Sequence, residues 1–235
     1  MLHAANVASS RLHIIMPVLN EAAALRVLLP ELPSALRAAT VVVDNGSTDA
    51  SAAVAAQHGA RVVHEKERGY GAACMAGIAA LRAADADIVL FMDGDASDDV
   101  ADIPRVLEPL LTNAADLVIG SRVLGARERG ALAAHARFGN WLAAALIYRK
   151  TGMRYTDLGP LRALRYDTLR SLQMQDRNFG WTVEMQMKAA RRRLRVCEVP
   201  VHYRKRVGRS KISGTVSGSV RAGITILQTI ALHGR

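Results

Sequence analysis

The chain has 235 residues, half of them hydrophobic and 4% aromatic, with 31 Lys/Arg against 21 Asp/Glu. That length and apolar content predict a sizeable core of Ala, Val, Leu and Ile, and exclude a disordered or fibrous chain. Cys74 and Cys197, neither in a C-x-x-C, exclude a disulfide framework and argue against a zinc site.

Residues 12–16 predict a strand and 21–36 a helix. A strand at 40–43 and a helix at 50–58 follow, with Gly59 as C-cap. A third strand at 61–63 leads into a helix at 71–84, a fourth at 88–92 into a helix at 103–111, and 117–119 is a fifth strand. This alternation predicts an α/β fold, a mostly parallel sheet flanked by helices on both faces. Ligands of such sheets bind in the loops after the strand C-termini. The second half is less regular. It predicts a helix at 132–148, an extended segment at 159–164, a helix at 181–190, and a strand at 194–199 stopped by Pro200. At 215–232, Val216, Val220, Ile224, Leu227 and Ile230 have the spacing of one helix face. Packing against the core or lying on a bilayer would each use such a stripe.

Charge divides the chain. Residues 1–120 hold 8 Lys/Arg and 15 Asp/Glu, whereas 121–235 hold 23 and 6. A half suited to a cation is joined to a half suited to an anion, whether a phosphorylated substrate, an acidic membrane surface or nucleic acid. Residues 1–10 lack an apolar signal core, and no stretch has 18 apolar residues in a row. The expectation is a cytoplasmic protein, with peripheral attachment to the cytoplasmic membrane face left open.

The strongest local signal is Phe91-Met92-Asp93-Gly94-Asp95, an apolar run ending in two carboxylates around a glycine. Such a turn suits Mg²⁺ or Mn²⁺, with phosphates completing the shell, or is simply an acidic turn with Asp98, Asp99 and Asp102. In Val43-Asp44-Asn45-Gly46-Ser47-Thr48-Asp49, Asp44 ends a strand at the ligand edge and is a candidate acceptor for a base or ribose. Asn45 to Asp49 read as turn and cap. In Met16-Pro17-Val18-Leu19-Asn20-Glu21, Pro17 predicts that the first strand stops or lies at an edge. Asn20 reads as an N-cap and Glu21 as a first-turn acid. Arg68-Gly69-Tyr70-Gly71 fails the dinucleotide fingerprint, because Cys74 stands at its last glycine. The basic run Arg206-Val207-Gly208-Arg209-Ser210-Lys211 could close over a diphosphate or be a solvated surface.

Taken in order with Gly120-Ser121-Arg122 and Thr156-Asp157-Leu158-Gly159-Pro160, these segments resemble the family 2 glycosyltransferases, closest to the polyprenyl-phosphate (dolichyl-phosphate mannose or glucose synthase-like) group. The resemblance implies a GT-A fold over 1–211, with a nucleotide-binding half (11–120), an acceptor and phosphate half (121–211), and a helical tail at 212–235. It implies a nucleotide-diphosphate sugar donor, UDP- or GDP-linked. Pro17, Asn20, Glu21, Asp44, Asp93, Arg122, Arg206, Ser210 and Lys211 would contact the donor, and Asp93 and Asp95 would hold Mg²⁺ or Mn²⁺. Inverting transfer to a polyprenyl phosphate at a membrane surface is expected. The group usually follows its metal motif with a Gln-His-Pro-Pro-like stretch. Here Ala96-Ser97-Asp98-Asp99 stands instead, which leaves the third metal ligand and the acceptor open. A hydroxyl acceptor would need a base, for which Glu184 and Asp157 are the candidates beside the catalytic Asp95.

Two rivals come from other classes. A sugar nucleotidyltransferase would want a Gly- and Arg-rich loop after the first strand, where this chain has 16–21 as quoted. A basic nucleic-acid-binding module would interleave its cations with aromatics, but only Tyr203 sits in the cluster at 204–211, so nucleic acid is not an expected partner.

Overall fold

A computed structural model describes residues 11–81, 86–208 and 216–233. One seven-stranded sheet runs β3-β2-β1-β4-β6-β5-β7. In chain order its strands are β1 (Leu12–Val18), β2 (Thr40–Asp44), β3 (Arg61–His64), β4 (Ile88–Phe91), β5 (Leu117–Ser121), β6 (Arg162–Arg165) and β7 (Val196–Pro200). All pairings are parallel except those of β6, which runs antiparallel between β4 and β5. The helices are α1 (Ala22–Glu31), α2 (Ser34–Ala38), α3 (Ser51–Gln57), α4 (Tyr70–Ala80), α5 (Ile103–Leu111), α6 (Ala134–Thr151), α7 (Tyr166–Leu172), α8 (Trp181–Arg191) and α9 (Val216–His233).

Two apolar layers sandwich the sheet. One, with Leu25, Leu28 and Leu29 of α1 and Val106 and Leu110 of α5, covers the face carrying Ile14 and Met16. The other, with Ala73 and Cys74 of α4, Ile147 of α6 and Trp181 of α8, covers the face carrying Ile15 and Phe91. Ile14 and Ile15 face opposite ways because side chains alternate along a strand. β4, Ile-Val-Leu-Phe, is buried throughout, as a central strand covered on both faces should be.

The predicted strands and helices of the first half are present, with three corrections. The single helix expected over 21–36 is two helices, broken at Leu32. Leu32 has ψ 134° because the following Pro33 disfavours a helical conformation before it. β1 neither stops at Pro17 nor lies at an edge. It runs through Pro17, which pairs with Val43, and has β2 on one side and β4 on the other. The proline is tolerated because Pro17 faces the same side as Ile15, whose carbonyl accepts from Met92 N–H at the end of β4. Beyond that point β4 offers no ladder for the missing N–H to join. Asn20 is not the N-cap of α1. That position is Glu21, and the capping groups come from the next loop: Ser51 Oγ accepts from Glu21 N–H at 2.8 Å and Asp49 Oδ2 from Ala22 N–H at 3.1 Å.

In the second half, α7 was not predicted. Its buried residues Tyr166, Leu169 and Leu172 span only seven positions, too few to establish a period. The helix at 216–233 packs on α6 and α8. Its predicted apolar face divides: Ile230 is buried, whereas Ile224 and Leu227 are exposed. Among the described residues no helix is long and apolar enough to cross a membrane.

Candidate active site

The parallel strands β2, β1 and β4 end on one edge of the sheet at Asp44, Val18 and Phe91. A cleft of about 490 Å³ opens there. Its floor is the turn after β4, where Asp93, Gly94 and Asp95 all line it. Gly94 is required by packing, since a Cβ on it would lie 2.6 Å from Val18 Cγ2.

The two carboxylates are prepared differently. Asp95 Oδ1 is held by the backbone N–H and hydroxyl of Ser97, at 2.9 and 2.5 Å. Its Oδ2 faces Arg206 Nη2 at 3.3 Å. Asp93 Oδ1 is buried without a hydrogen-bond partner. Burial, then the neighbouring negative charge of Asp95, pushes the Asp93 carboxyl up to about 7, while the Tyr70 hydroxyl opposes the shift. Asp98 lies behind them, fully buried, with Oδ2 accepting from Asp93 N–H at 3.3 Å and Oδ1 unpartnered. Burial raises it too, with the charge of Asp93 adding to the shift. Buried carboxylate oxygens without donors fit a hard divalent cation, which neutralises them and takes oxygen ligands. Among the described residues no three His, Cys, Asp or Glu side chains already form a metal cage, so a bound cation would complete its shell from phosphate and water.

The raised Asp93 carboxyl has a measurable sign. Its folded value of about 7 lies above the unfolded value of about 3.9, so burial penalises the charged form. In EDTA the protein should lose stability relative to Asp93→Asn as pH rises from about 4 through about 7. Above that pH the variant should melt a few degrees higher, and Mn²⁺ should close the gap by stabilising only the native carboxylate. Parallel melting curves across this range would remove the argument.

Arg206 reaches the cleft from the far end of the chain. After β7, Tyr203 N–H donates to Ala126 O, Arg204 N–H to Ser97 O and Val207 N–H to Asp95 O, at 2.9, 2.8 and 2.9 Å. These bonds lay residues 203–207 across the turn after β4. Arg206 Nη2 then meets Glu21 Oε1 at 2.8 Å as well as Asp95. One guanidinium therefore bridges the first and fourth strand ends. Glu21, Pro17 and Arg206 all line the cleft. Ser210 and Lys211 lie outside the described residues.

The opposite wall was missed in the sequence. Asn45, Arg68, Gly69 and Tyr70 line the cleft, facing Asn178 and Phe179. Asn45 is more than a turn residue: its amide donates to Glu67 O at 2.6 Å and its Oδ1 accepts from Gly69 N–H at 2.8 Å. The glycines at 69 and 71 do serve close approach, but to another part of the chain. Gly71 N–H donates to Asn178 O and Ala72 N–H to Arg177 O, at 3.1 and 2.8 Å. A Cβ on Gly71 would lie 1.9 Å from Asp176 O. Gly71→Ala should therefore cost about 1–3 kcal/mol in a denaturant titration, despite the better helix propensity of alanine, because a backbone carbonyl must move.

Five expected site residues lie outside the cleft lining. Asp44 is buried at the end of β2, with Oδ1 accepting from Ser47 N–H at 3.0 Å and Oδ2 3.2 Å from His64 Nδ1. Asn20, at φ 54°, accepts from Thr48 N–H at 2.7 Å and ties the β1 loop to the β2 loop. Arg122 and Asp157 form a bidentate pair, Nε to Oδ2 and Nη2 to Oδ1, both 2.8 Å. Asp157 also accepts from Arg122 N–H and Leu158 N–H. It is fully buried with both oxygens occupied, so it is not placed to take a substrate proton. Burial opposes the Arg122 charge, but Asp157 outweighs it and raises the guanidinium. Glu184 is likewise fully buried. Its oxygens accept from Gln175 N–H and Asp176 N–H at 2.9 and 2.7 Å and meet Lys188 Nζ at 2.7 Å, so the expected base is instead the clamp that holds the 175–180 loop.

The sheet order, with a cleft at the strand C-termini and paired carboxylates after its fourth strand, places a candidate ligand site where open α/β folds carry theirs. The model of the family described as glycosyl transferase family 2 matches residues 13–191. The chain is 36% identical over 223 residues to an uncharacterised glycosyltransferase of Mycobacterium tuberculosis, covering 93% of this chain and 97% of that one. It is 31% identical over 223 residues to the undecaprenyl-phosphate mannosyltransferase of Micrococcus luteus, covering 90% and 91%. It is 30% identical over 217 residues to the dolichyl-phosphate hexose transferase of Haloferax volcanii, covering 88% and 89%. Among solved structures, glucosyl-3-phosphoglycerate synthase from Mycobacterium tuberculosis, in complex with Mn²⁺ and UDP-glucose, superposes with a TM-score of 0.76 at 21% identity, covering 99% of this chain and 82% of that one. The chain belongs to glycosyl transferase family 2, and its fold is GT-A.

Proposed function

We propose that this glycosyltransferase moves a hexose from a nucleoside diphosphate sugar to a polyprenyl phosphate, with inversion and with Mg²⁺ or Mn²⁺. The donor diphosphate lies between Arg206 and the Asp93–Asp95 pair, with the nucleoside along Pro17 and Asn45. A divalent cation on Asp93 and Asp95 supplies charge neutralisation of the diphosphate. The chain supplies the rest. Arg206 exchanges part of its contact with Glu21 and Asp95 for phosphate oxygens, and donates to the bridging oxygen as charge grows there. The acceptor phosphate oxygen forms its bond to the anomeric carbon on the face opposite the breaking bond, and the nucleoside diphosphate departs with the bonding electrons.

One observation favours an ionised acceptor. The carboxylates lining the described cleft are Glu21, Asp93 and Asp95; Arg206 engages Glu21 and Asp95, and the proposed cation would engage Asp93 and Asp95. Asp157 and Glu184 are saturated and buried. No cleft carboxylate is left to take a proton from a hydroxyl, and a phosphate monoester needs no such base. The names of the Micrococcus and Haloferax relatives point the same way. The test supplies UDP- and GDP-sugars labelled in the hexose, with polyprenyl phosphate and Mn²⁺. Label should pass into the solvent-extractable lipid phase, and EDTA should prevent it. Transfer only to a water-soluble hydroxyl compound would overturn the lipid-phosphate reading.

A further inference from the structure

We propose that the outward face of α6 seats the protein on an anionic lipid bilayer. The helix is apolar on two sides. Ala143, Ala144 and Ile147 are buried against the core. On the other side Phe138 and Trp141 are 61% and 63% exposed, with ring centroids 5.8 Å apart, and Tyr148 is exposed further along the same stripe. Positions 138, 141, 145 and 148 recur at three and four residues, so they share one face. Among the described residues nothing covers Phe138 and Trp141, and large aromatics exposed together mark an interaction surface.

Charge identifies the occupant. From residue 129 to residue 156 there are five Lys/Arg and no Asp/Glu. Arg137, Arg149 and Lys150 are exposed on α6 itself. Arg154 stacks its guanidinium over Tyr148, 4.7 Å from the ring centroid. Trp, Phe and Tyr on a helix whose own charged residues are all cations is the composition of an interfacial helix on acidic headgroups. A second copy docking by the same face about a two-fold axis would set these cations against themselves.

The face is also fixed to the catalytic edge. Asn140, between the two exposed aromatics, donates to Thr156 O at 3.0 Å and accepts from Leu158 N–H at 2.9 Å. These residues flank Asp157, which is clamped to Arg122 just after β5. Seating α6 on a bilayer would therefore hold the edge that carries the cleft near the surface where a lipid phosphate lies. This inference deepens the lipid-phosphate reading, but its test reads vesicle binding and not transfer, so either can fail alone.

The chain contains two tryptophans, and Trp181 is fully buried. A change in emission on adding vesicles therefore reports Trp141. With phosphatidylcholine vesicles containing phosphatidylglycerol, the full chain should co-sediment and its emission should shift to the blue. With phosphatidylcholine alone both effects should be much weaker, and high salt should weaken the first. Phe138→Ser with Trp141→Ser should lower the partition coefficient about tenfold or more. Trp141→Phe should still sediment but lose the shift, and an unchanged melting temperature should show that both variants are folded. Sedimentation that survives the double substitution would overturn the proposal, as would sedimentation without a blue shift. Loss of a dimer, or of oligonucleotide binding, in the double variant with no vesicle binding in the native chain would assign the face to those partners instead.

Discussion

Asp95→Asn should lower transfer by about 10³-fold or more at saturating Mn²⁺ and leave the protein folded. An asparagine keeps the oxygen that accepts from the Ser97 N–H and hydroxyl, so the turn after β4 survives. The other oxygen becomes an amide. It then brings two donors to face each other, because Arg206 Nη2 stands 3.3 Å away, and it removes a charge that would hold the proposed cation. Both losses fall on the leaving diphosphate, where charge develops in the transition state, so the effect belongs in kcat more than in KM. Steady-state kinetics with a calorimetric Kd for the donor, beside a melting curve, separate these effects. Activity within about tenfold of the native enzyme in a folded variant would remove Asp95 from the reaction.

Asp157→Ala should cost about 3–5 kcal/mol of stability, the effect of leaving a buried charge without its partner. Arg122 is mostly buried, and its guanidinium has Asp157 as its hydrogen-bonded counterion. The same carboxylate orders the Leu158 N–H. The shift in a denaturant midpoint at constant slope measures the loss. Replacing both partners together, as Arg122→Met with Asp157→Leu, should recover part of it, since two well-packed apolar groups avoid the desolvation of either charge. This result also separates two roles for Asp157. A base would lose turnover with stability intact, whereas a clamp loses stability first.

Neighbouring residues determined much of this protein. The alternation of β-branched runs with helical periods gave an α/β sheet because strand and helix periodicity are local properties. The Asp93-Gly94-Asp95 turn was legible because an apolar strand ending in carboxylates must present them at the ligand edge. The ordered motifs also carried the family, which the comparisons bear out. Contacts between distant residues were decided only by the tertiary structure. Arg206 was legible as part of a basic run, but the strand-like bonds of Tyr203 and Arg204 to segments 77 and 107 residues away bring it to Glu21 and Asp95. Glu184 and Asp157 are the types a base would be, and their burial among backbone N–H groups and cations makes them clamps. The glycines at 69 and 71 read only as a failed dinucleotide fingerprint, whereas the structure packs them against the backbone at 176–178. Pro17 reads as a strand stop until β4 is seen to end beside it. Trp141 and Trp181 are the same residue type on two helices, yet one lies in the core and the other faces solvent. Helix periodicity shows which residues share a face, but what covers that face depends on the rest of the fold.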